Sequence, residues 1–337
     1  MKLGLALPYG GQLSFPESLE LTQRAEAVGF DSVWVPEAWG FDAVSMLGAL
    51  AVRTERIRLG TGIVNVFSRT PALIGQTAAT LDALSGGRFI LGLGTSGHQV
   101  VTGWHGVPFD RPLQRIRETI AIVDQVLGRQ PVRFEGEVFQ LPQGLKLLAH
   151  PVRPRVPVYL ATITPAGVRL TAEVADGWMP ILYSPEHADV FRADLEAGLA
   201  RGGRDLSAVE IAPTMPVVVS DDLALAHDAL RPWVALYVGG MGSKAKNFYN
   251  ETVRRYGFEA EAKEIQDLYL SGNKRSAIAA VPDALVDAVA LSGPPARLRE
   301  RIQACARAGA TLLIVHVEAA DSQAGRLQAL EALAAAA

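Results

Sequence analysis

The chain has 337 residues, of which 49% are hydrophobic and 20% charged, and its formal net charge is −3. Because no basic run accompanies this weakly negative charge, nucleic acid is not an expected partner. No apolar run is long enough to span a bilayer and no signal peptide precedes the first predicted strand, so we expect a cytoplasmic protein without membrane association. The single cysteine, Cys305, cannot form an internal disulfide, which fits a reducing compartment.

Eight apolar runs alternate with helical patterns along the chain. The runs predict strands at 3–7, 32–35, 59–64, 89–93, 158–161, 178–182, 210–220 and 312–317. The patterns between them predict helices at 16–28, 42–53, 71–84, 112–127, 165–175, 185–201 and from residue 323. Continuous apolar runs are typical of parallel strands that helices cover on both faces. We therefore predict an α/β fold, specifically a (β/α)8 TIM barrel. A doubly wound sheet is the alternative, although no GxGxxG motif opens the first helix.

Two segments interrupt the alternation and are interpreted as insertions into one domain, residues 1–337. The first, about 130–157, contains a predicted hairpin at 132–141 that turns at Glu135-Gly136. The second and largest, about 221–310, has helical patterns and lies between strands seven and eight. Barrel active sites lie at the carboxyl ends of the strands. The expected site loops are therefore 8–11, 37–39, 65–69, 95–99, 162–165, 182–184 and the segment after 220.

The stretch LGTGIVNVFSRTP, residues 59–71, is the most informative of these strand ends. Gly60 and Gly62 lie inside the predicted strand, where glycine marks a bulge or a close approach by another group. Asn65, Ser68 and Arg69 follow, in the position where barrels bind ligands. An ordinary tight βα loop is the alternative interpretation.

Two further turns have the composition of phosphate sites. Thr95, Ser96 and Gly97 form a glycine- and hydroxyl-rich turn after strand four, which is typical of an anion cradle. Residues 162–164, Thr162, Ile163 and Thr164, precede a proline that opens a helix, so free N–H groups and the positive helix end would face the barrel mouth. Simple helix capping is the alternative for the second turn.

Glu37 and His98 lie at strand ends and are the candidate proton donors or acceptors. A salt bridge between Glu37 and Arg69 is the alternative role for that carboxylate. The histidine spacing does not match a metal-binding motif, so no metal site is expected. Lys244 and Lys246, in a glycine-rich break at 239–247, could belong to a lid over an anionic group, or to a solvated helix break.

Five short motifs then occur in one order over nearly the whole chain: DSVWV at 31–35, LGTGI at 59–63 followed by RTP at 69–71, GGRF at 86–89, GLGT at 92–95 and ADGW at 175–178. With this set the chain resembles the luciferase-like monooxygenase superfamily, in particular its coenzyme F420-dependent oxidoreductase branch. The segments GWHG at 103–106 and YVGGMG at 237–242 are similar to those of relatives of methylenetetrahydromethanopterin reductase.

The resemblance implies a homodimer of TIM barrels with a deazaflavin or flavin in each mouth. It places a non-prolyl cis peptide at Gly62-Ile63 behind the cofactor ring, with Asn65 beside it. It places the cofactor phosphate at Thr95, Ser96 and Gly97 and at Thr162, Ile163 and Thr164. The substrate or the polyglutamyl tail of F420 would meet a small set of aromatic and basic side chains: Trp39, Arg69, Arg111, Lys244 and Lys246.

The chain departs from the family pattern at two points that bear on the reaction. Relatives that oxidise alcohols or sugar phosphates carry an acid–histidine pair after strand two and a glutamate after strand four; here these are Glu37-Ala38 and the segment ending in His98. We therefore expect an F420-dependent oxidoreductase that reduces an activated C=C or C=N bond, with the proton from Glu37 or His98. One alternative is an FMN-dependent two-component monooxygenase that uses O2. The other is a non-catalytic flavin-binding barrel. A flavin or F420 reductase is the expected partner that supplies reduced cofactor.

Overall fold

A sheet of eleven parallel strands and a separate two-stranded hairpin account for the strands of the computed structural model, which describes residues 1–8, 13–317 and 322–337. In chain order the strands are β1 (Lys2–Ala6), β2 (Ser32–Val35), β3 (Arg58–Thr61), β4 (Val64–Asn65), β5 (Phe89–Gly94), β6 (Val132–Glu135), β7 (Gln140–Leu145), β8 (Val158–Leu160), β9 (Gly177–Trp178), β10 (Glu210–Ile211), β11 (Thr214–Val219), β12 (Leu291–Gly293) and β13 (Leu312–Val317).

Thirteen α-helices are present in the described part of the chain. They are α1 (Phe15–Ala27), α2 (Ala43–Ala51), α3 (Pro71–Leu84), α4 (Pro112–Leu127), α5 (Pro165–Val174), α6 (Arg192–Gly202), α7 (Leu223–Ala235), α8 (Phe248–Arg255), α9 (Glu259–Leu270), α10 (Lys274–Ala279), α11 (Asp283–Val289), α12 (Pro295–Arg307) and α13 (Gln323–Ala336). Local chemistry sets several starts: the Thr70 and Thr164 hydroxyls accept from Leu73 N and Gly167 N, and a proline occupies the next position.

The parallel sheet curls until one segment pairs on both of its edges. The strand order is β10, β9, β8, β5, β3, β2, β1, β13, β11, β12. β10 pairs with β9 and β11 pairs with β13, and only Ala212 and Pro213 separate β10 from β11. One stretch of chain thus connects β10, at one end of the strand order, to β11, next to the strand at the other end, which is the arrangement of a TIM-barrel-like fold.

The interior of the curled sheet is apolar and is open toward the carboxyl ends of its strands. Its buried cluster consists of Trp34, Ile90, Tyr159, Met179, Ala212, Leu312 and Ile314. Three partly buried side chains pack on that cluster, Ala6, Ile63 and Ala161. Since these three lie at or just beyond the carboxyl ends of their strands, the accessible end of the interior is the one where the candidate site residues lie.

Ion pairs occupy the opposite end of the interior. Glu210 accepts from Lys2 Nζ at 2.9 Å, lies 3.4 Å from Arg58 Nη2 and accepts from the Tyr159 hydroxyl. Burial, followed by the Glu210 carboxylate, raises the pKa of Tyr159 well above its usual value. This network satisfies the buried phenol and carboxylate within the protein, so the chemistry is left to the other end.

Several predicted element boundaries need correction. The run 59–64 is not one strand, because the backbone leaves the ladder between β3 and β4. The run 210–220 is divided at Pro213, which has no N–H for the ladder. The run 178–182 contributes only β9 and an isolated bridge from Ile181 to Thr214. The hairpin turn spans residues 136–139, and β12, which pairs with β11, was not predicted.

The predicted helices at 71–84 and 112–127 are confirmed as α3 and α4, and Cys305 is buried in α12, as its helical pattern indicated. The segment 221–310 is mostly helical, α7 to α12 with β12 among them. Within the described residues, no helix combines the length and apolar character needed to cross a membrane.

Candidate active site

The site is organised around a bulge between β3 and β4. Gly60 pairs with Ile90 and Val64 with Leu93, so three residues of one strand, 61–63, lie opposite two of β5. The peptide bond between Gly62 and Ile63 is cis, at the position that the family resemblance implied. An extra residue in one strand re-aims the side chains that follow it, and here it directs Ile63 to the open end of the interior.

The Thr61 hydroxyl takes the place of the ladder hydrogen bonds that the bulge removes. Thr61 Oγ1 accepts from Gly92 N at 2.8 Å and donates to Gly92 O at 2.7 Å. Both groups of Gly92 point toward the bulge, because Leu91 N and Leu93 O on either side bond toward β8. A single buried hydroxyl therefore satisfies two backbone groups beside the candidate cofactor surface.

Glycine is required where side chains or backbone close on the bulge. A Cβ on Gly60 would lie 2.3 Å from Cε3 of Trp34, whose ring fills the interior against Tyr159. A Cβ on Gly92 would lie 1.9 Å from the carbonyl oxygen of Thr61. Neither contact leaves room for a methyl group, since real Cβ contacts essentially never fall below 3.0 Å. Close packing therefore explains the glycines at 60 and 92, whereas a Cβ on Gly62 would lie 3.3 Å from Cβ of Trp34.

Asn65 follows the bulge and has one buried group without a partner. Its side chain is 3% exposed and Oδ1 accepts from Phe67 N at 2.9 Å. Its Nδ2 is buried and makes no hydrogen bond in the described structure. A buried amide donor without an acceptor is costly, and such groups in native proteins commonly await a ligand or a water molecule. Asn65 is therefore the clearest ligand-binding candidate at this strand end.

Glu37 is held in an ion pair with Arg69. Arg69 binds both carboxylate oxygens, with Nη2 2.9 Å from Oε2, and Ala43 N donates to Oε2 at 3.0 Å. The two side chains are 12% and 17% exposed. Hydrogen bonding to Glu37 raises the pKa of Arg69, and Asp42, which accepts from Arg69 at 2.6 Å, adds to the effect. The structure thus has the salt bridge that the sequence left as an alternative.

The two predicted phosphate turns are neighbours. β5 and β8 pair, and Ala161 N donates to Leu93 O at 3.0 Å, so residues 95–97 and 162–164 leave adjacent strands. Ser96 has a φ of 56°, and Gly97 is exposed. In the second turn, the hydroxyls are already engaged: Thr162 Oγ1 lies 2.7 Å from Thr171 Oγ1, and Thr164 caps α5. Thr164 therefore has the capping role that was the alternative interpretation, and the Thr162 hydroxyl is satisfied by Thr171 within the protein.

His98 lies beyond the first turn and is exposed. Its Nδ1 is 3.3 Å from Thr102 Oγ1, and its ring lies 5.8 Å from that of Phe109. The Phe109 ring in turn stacks on the ring of Phe67, with the two centroids 5.2 Å apart, and Phe67 belongs to the loop that carries Asn65. The contacts of Phe67 and Phe109 join His98 to the bulge, and sequence patterns alone did not indicate either residue.

The remaining predicted site residues lie farther out. Lys244 is 74% exposed and its Nζ is 2.7 Å from Asp267 on α9, and Lys246 is also exposed. Arg111 donates to Glu137 O at 2.7 Å, and Trp39 is 52% exposed. Residues 9–11, the end of the first predicted site loop, lie outside the described part of the chain.

Two surface cavities lie away from the bulge. One of about 300 Å³ is at the amino ends of β1 and β2, and one of about 290 Å³ is between α4 and α5. Neither is lined by the bulge or the phosphate turns, so the site is defined by the strand ends and not by these cavities.

Comparisons with known proteins agree with this geometry. Residues 1–312 match the family model described as luciferase-like monooxygenase. The chain is 41% identical to the "putative coenzyme F420-dependent oxidoreductase" of Mycobacterium tuberculosis, over 95% of this chain and 96% of the relative. It is 30% identical to 5,10-methylenetetrahydromethanopterin reductase of Archaeoglobus fulgidus, over 93% and 92%.

The solved structure of the coenzyme F420-dependent tetrahydromethanopterin reductase from Methanopyrus kandleri superimposes with a TM-score of 0.85 at 25% identity, covering 99% of this chain and 97% of that one. The family match over most of the chain, the relatives at 41% and 30% identity and the shared fold converge on one assignment. The chain belongs to the luciferase-like monooxygenase family, in its branch of coenzyme F420-dependent oxidoreductases.

Proposed function

We propose that this enzyme transfers a hydride between coenzyme F420 and a small organic substrate at the carboxyl end of the barrel. The observation that carries the proposal is the buried, unpartnered Nδ2 of Asn65 beside the bulge. A ring system rich in carbonyl and nitrogen acceptors would satisfy that donor. When bound, F420 supplies the hydride chemistry, and the protein positions it.

The proposed cofactor surface combines the bulge with the first phosphate turn. Gly62 and Ile63 would support one face of the ring, and Ala6 and Ala161 continue the same apolar floor. Thr95, Ser96 and Gly97 would hold the phosphate through backbone and hydroxyl groups. Because the hydroxyls of Thr162 and Thr164 are engaged, the turn 162–164, including Ile163, would contribute backbone contacts only.

The proposed proton donor is His98, in preference to Glu37. Both oxygens of Glu37 already accept hydrogen bonds from Arg69, and Oε2 accepts a second one from Ala43 N. Because these hydrogen bonds hold both oxygens within the protein, the carboxylate is not free to turn toward a substrate. His98 is exposed at the end of the neighbouring β5 turn and would be accessible to substrate. Since no acid–histidine pair follows β2, reduction of an activated C=C or C=N bond is proposed over alcohol oxidation.

The outer residues would meet the substrate or the cofactor tail. Trp39, which follows Glu37 closely in sequence, presents an exposed apolar ring. Lys244 and Lys246 add exposed positive charge. We further propose that residues 1–337 form one luciferase-like TIM-barrel domain, in which about 130–157 and 221–310 are insertions. A separate F420 reductase would regenerate reduced cofactor.

A homodimer is part of the proposal. Three apolar side chains on the outer helical layer are 45–63% exposed, and a second copy could cover them: Val52, Leu73 and Leu84. Light scattering of the purified protein tests this part independently of cofactor binding. A monomeric mass at micromolar concentration would contradict it.

Binding titrations with F420 and with FMN test the cofactor assignment. We expect F420 to bind more tightly than FMN, and Asn65→Ser to weaken F420 binding by about tenfold, which is about 1.4 kcal/mol. Serine can still accept from Phe67 N but lacks the amide donor. The matched control is Asn273→Ser at the exposed start of α10, where the same side chain only caps a helix. Tighter FMN binding would move the assignment to an FMN-dependent monooxygenase, and binding of neither would refute it.

Turnover assays test the direction and the substrate class. Reduced F420 with a panel of enones and imines should give F420 oxidation, whereas secondary alcohols with oxidised F420 should give no reduction. A His98→Gln variant should turn over F420 more slowly with these substrates while it retains cofactor affinity. Faster alcohol oxidation than enone or imine reduction would contradict the proposed direction.

A further inference from the structure

The hairpin β6–β7 is fastened to α4 by one buried carboxylate. Glu118 is 2% exposed and lies in the second turn of α4. Its Oε1 accepts from Glu137 N at 2.7 Å and Val138 N at 3.2 Å. Its Oε2 accepts from Val138 N at 3.0 Å and Phe139 N at 2.9 Å. Three consecutive amides of the turn 136–139 therefore converge on a single side chain.

The approach is close enough to require glycine at the start of that turn. A Cβ on Gly136 would lie 2.3 Å from Glu118 Oε2. Gln114 Nε2 donates to Oε1 at 2.9 Å, and Arg111 Nη1 donates to the carbonyl of Glu137 at 2.7 Å. Glu118 and Arg111 thus fix the turn 136–139 from two positions, and Gln114 holds the Glu118 carboxylate in place.

The fixed turn is connected to the cofactor loop through Arg115. Its guanidinium carbon lies 5.1 Å from the ring centroid of Phe139 and 4.6 Å from that of Phe67. Arg115 donates to Asp110 Oδ1 at 3.2 Å, and the Arg115 side chain is 15% exposed. A cation between two aromatic faces in a mostly desolvated position is attracted to both. Arg115 therefore couples the hairpin to the loop in which Phe67 lies between Asn65 and Arg69.

We propose that Glu118 and Arg115 are positioning residues of the candidate active site. Glu118 sets the place of the turn 136–139, and Arg115 transmits that place through Phe67 to the loop that carries Asn65 and Arg69. The effect on F420 binding rests on the proposed function, whereas the mechanical coupling between hairpin and loop does not.

Hydrogen exchange gives a readout of the coupling without any cofactor. The amides of 137–139 are protected by Glu118, and those of Val66, Phe67 and Ser68 are protected by Gly94 O, Asn65 Oδ1 and Asn65 O. In Glu118→Gln, an amide nitrogen replaces one acceptor oxygen and faces backbone donors. We expect exchange at 137–139 and at 66–68 to rise at least tenfold.

The matched control is Glu137→Gln, which removes the same charge from the same turn but at an exposed side chain. It should leave exchange in both segments unchanged. Arg115→Met keeps an unbranched apolar side chain without the guanidinium, and carries the test if Glu118→Gln does not fold. Arg115→Met should speed exchange at 66–68 with little change at 137–139. F420 binding should weaken about fivefold in Glu118→Gln and in Arg115→Met.

The outcomes separate the two proposals. Faster exchange at 137–139 with unchanged exchange at 66–68 would overturn the coupling and leave Glu118 with a purely structural role. Unchanged exchange at 66–68 in Arg115→Met would overturn the role of Arg115. If the wild type does not bind F420 but the exchange results are as expected, the proposed function fails and the positioning inference holds.

Discussion

Replacement of Thr61 by valine tests how the bulge is held. Valine has nearly the same shape as threonine but lacks the hydroxyl, so the N–H and C=O of Gly92 each lose the partner they have in the structure. Thr61 is 0% exposed, and Gly92 is buried, so water cannot replace the hydroxyl without a rearrangement. The matched control is Thr80→Val on α3, where an exposed hydroxyl donates to Gln76 O at 3.0 Å.

The expected loss follows from the two orphaned groups. A buried backbone group left without a partner costs about 1–3 kcal/mol, so Thr61→Val, which leaves two, should lower the free energy of unfolding by about 2–6 kcal/mol. Typical unfolding entropies are about 2.1 cal/mol/K per residue, so in a chain of 337 residues each kcal/mol corresponds to about 1.4 °C in Tm. The expected decrease in Tm is therefore about 3–8 °C. Thr80→Val should stay within about 0.5 kcal/mol of wild type.

Thermal unfolding at one fixed scan rate, with urea unfolding where it is reversible, measures both variants. Thr61→Ser restores the hydroxyl and should recover most of the loss, apart from about 1 kcal/mol for the buried methyl group. If Thr61→Val is as stable as Thr80→Val, the hydroxyl does not hold the bulge and the account of Gly92 is wrong.

Three further predictions concern charged and titratable groups. Arg69→Met should destabilise the fold by about 2–4 kcal/mol in urea unfolding, because it leaves the mostly buried Glu37 carboxylate without its cationic partner. Arg24→Met, at an exposed ion pair, should cost less than about 1 kcal/mol. Equal losses in the two variants would contradict this prediction. Burial raises the pKa of the Cys305 thiol to about 11, so at pH 8 a disulfide reagent should modify it only as fast as the protein unfolds, and prompt native modification would refute its burial. Burial alone would raise the pKa of Glu118, but its hydrogen bonds from Gln114 and the turn amides outweigh burial and hold that pKa below its usual range. Glu118 therefore contributes stability that is present above its unfolded pKa of about 4.3 and is lost as the pH falls through that value toward its folded pKa. Glu118→Gln should flatten this part of the curve of unfolding free energy against pH, and an unchanged slope would count against the hydrogen-bonded carboxylate.

Elements with strong local signals could be predicted from the sequence. α3 and α4 were predicted to the residue because each begins with a proline at the first helical position and carries a long apolar stripe. The position of the bulge was also accessible, since two glycines interrupt an apolar run. β12 was missed because three residues give no periodicity, and its pairing with β11 depends on contacts across about seventy residues.

The partners of the site residues could not be predicted in the same way. That the Thr61 hydroxyl binds Gly92, or that Trp34 lies over Gly60, depends on which strands become neighbours. One signal was present: Gly-x-Gly occurs at 60 and 62 and again at 92 and 94, on the strand that follows in the sheet. Matched glycine pairs on adjacent strands indicate close backbone approach on both, which neither pair indicates alone.

Polar residues at strand ends have two physical roles that composition does not distinguish. In one role they cap helices or pair with charged groups, and in the other they bind a ligand. Both roles favour the same side chains at the same positions. Here the hydrogen-bond partners separate them: Thr164 and Glu37 are satisfied within the protein, whereas Asn65 keeps a buried donor without an acceptor. Since a native fold rarely leaves such a donor unmatched, the unsatisfied group is stronger evidence for a ligand than the satisfied ones. The same reasoning favours His98 over Glu37 of the two predicted proton donors, because a carboxylate that stabilises the loop through Arg69 cannot be released without a loss of that stability.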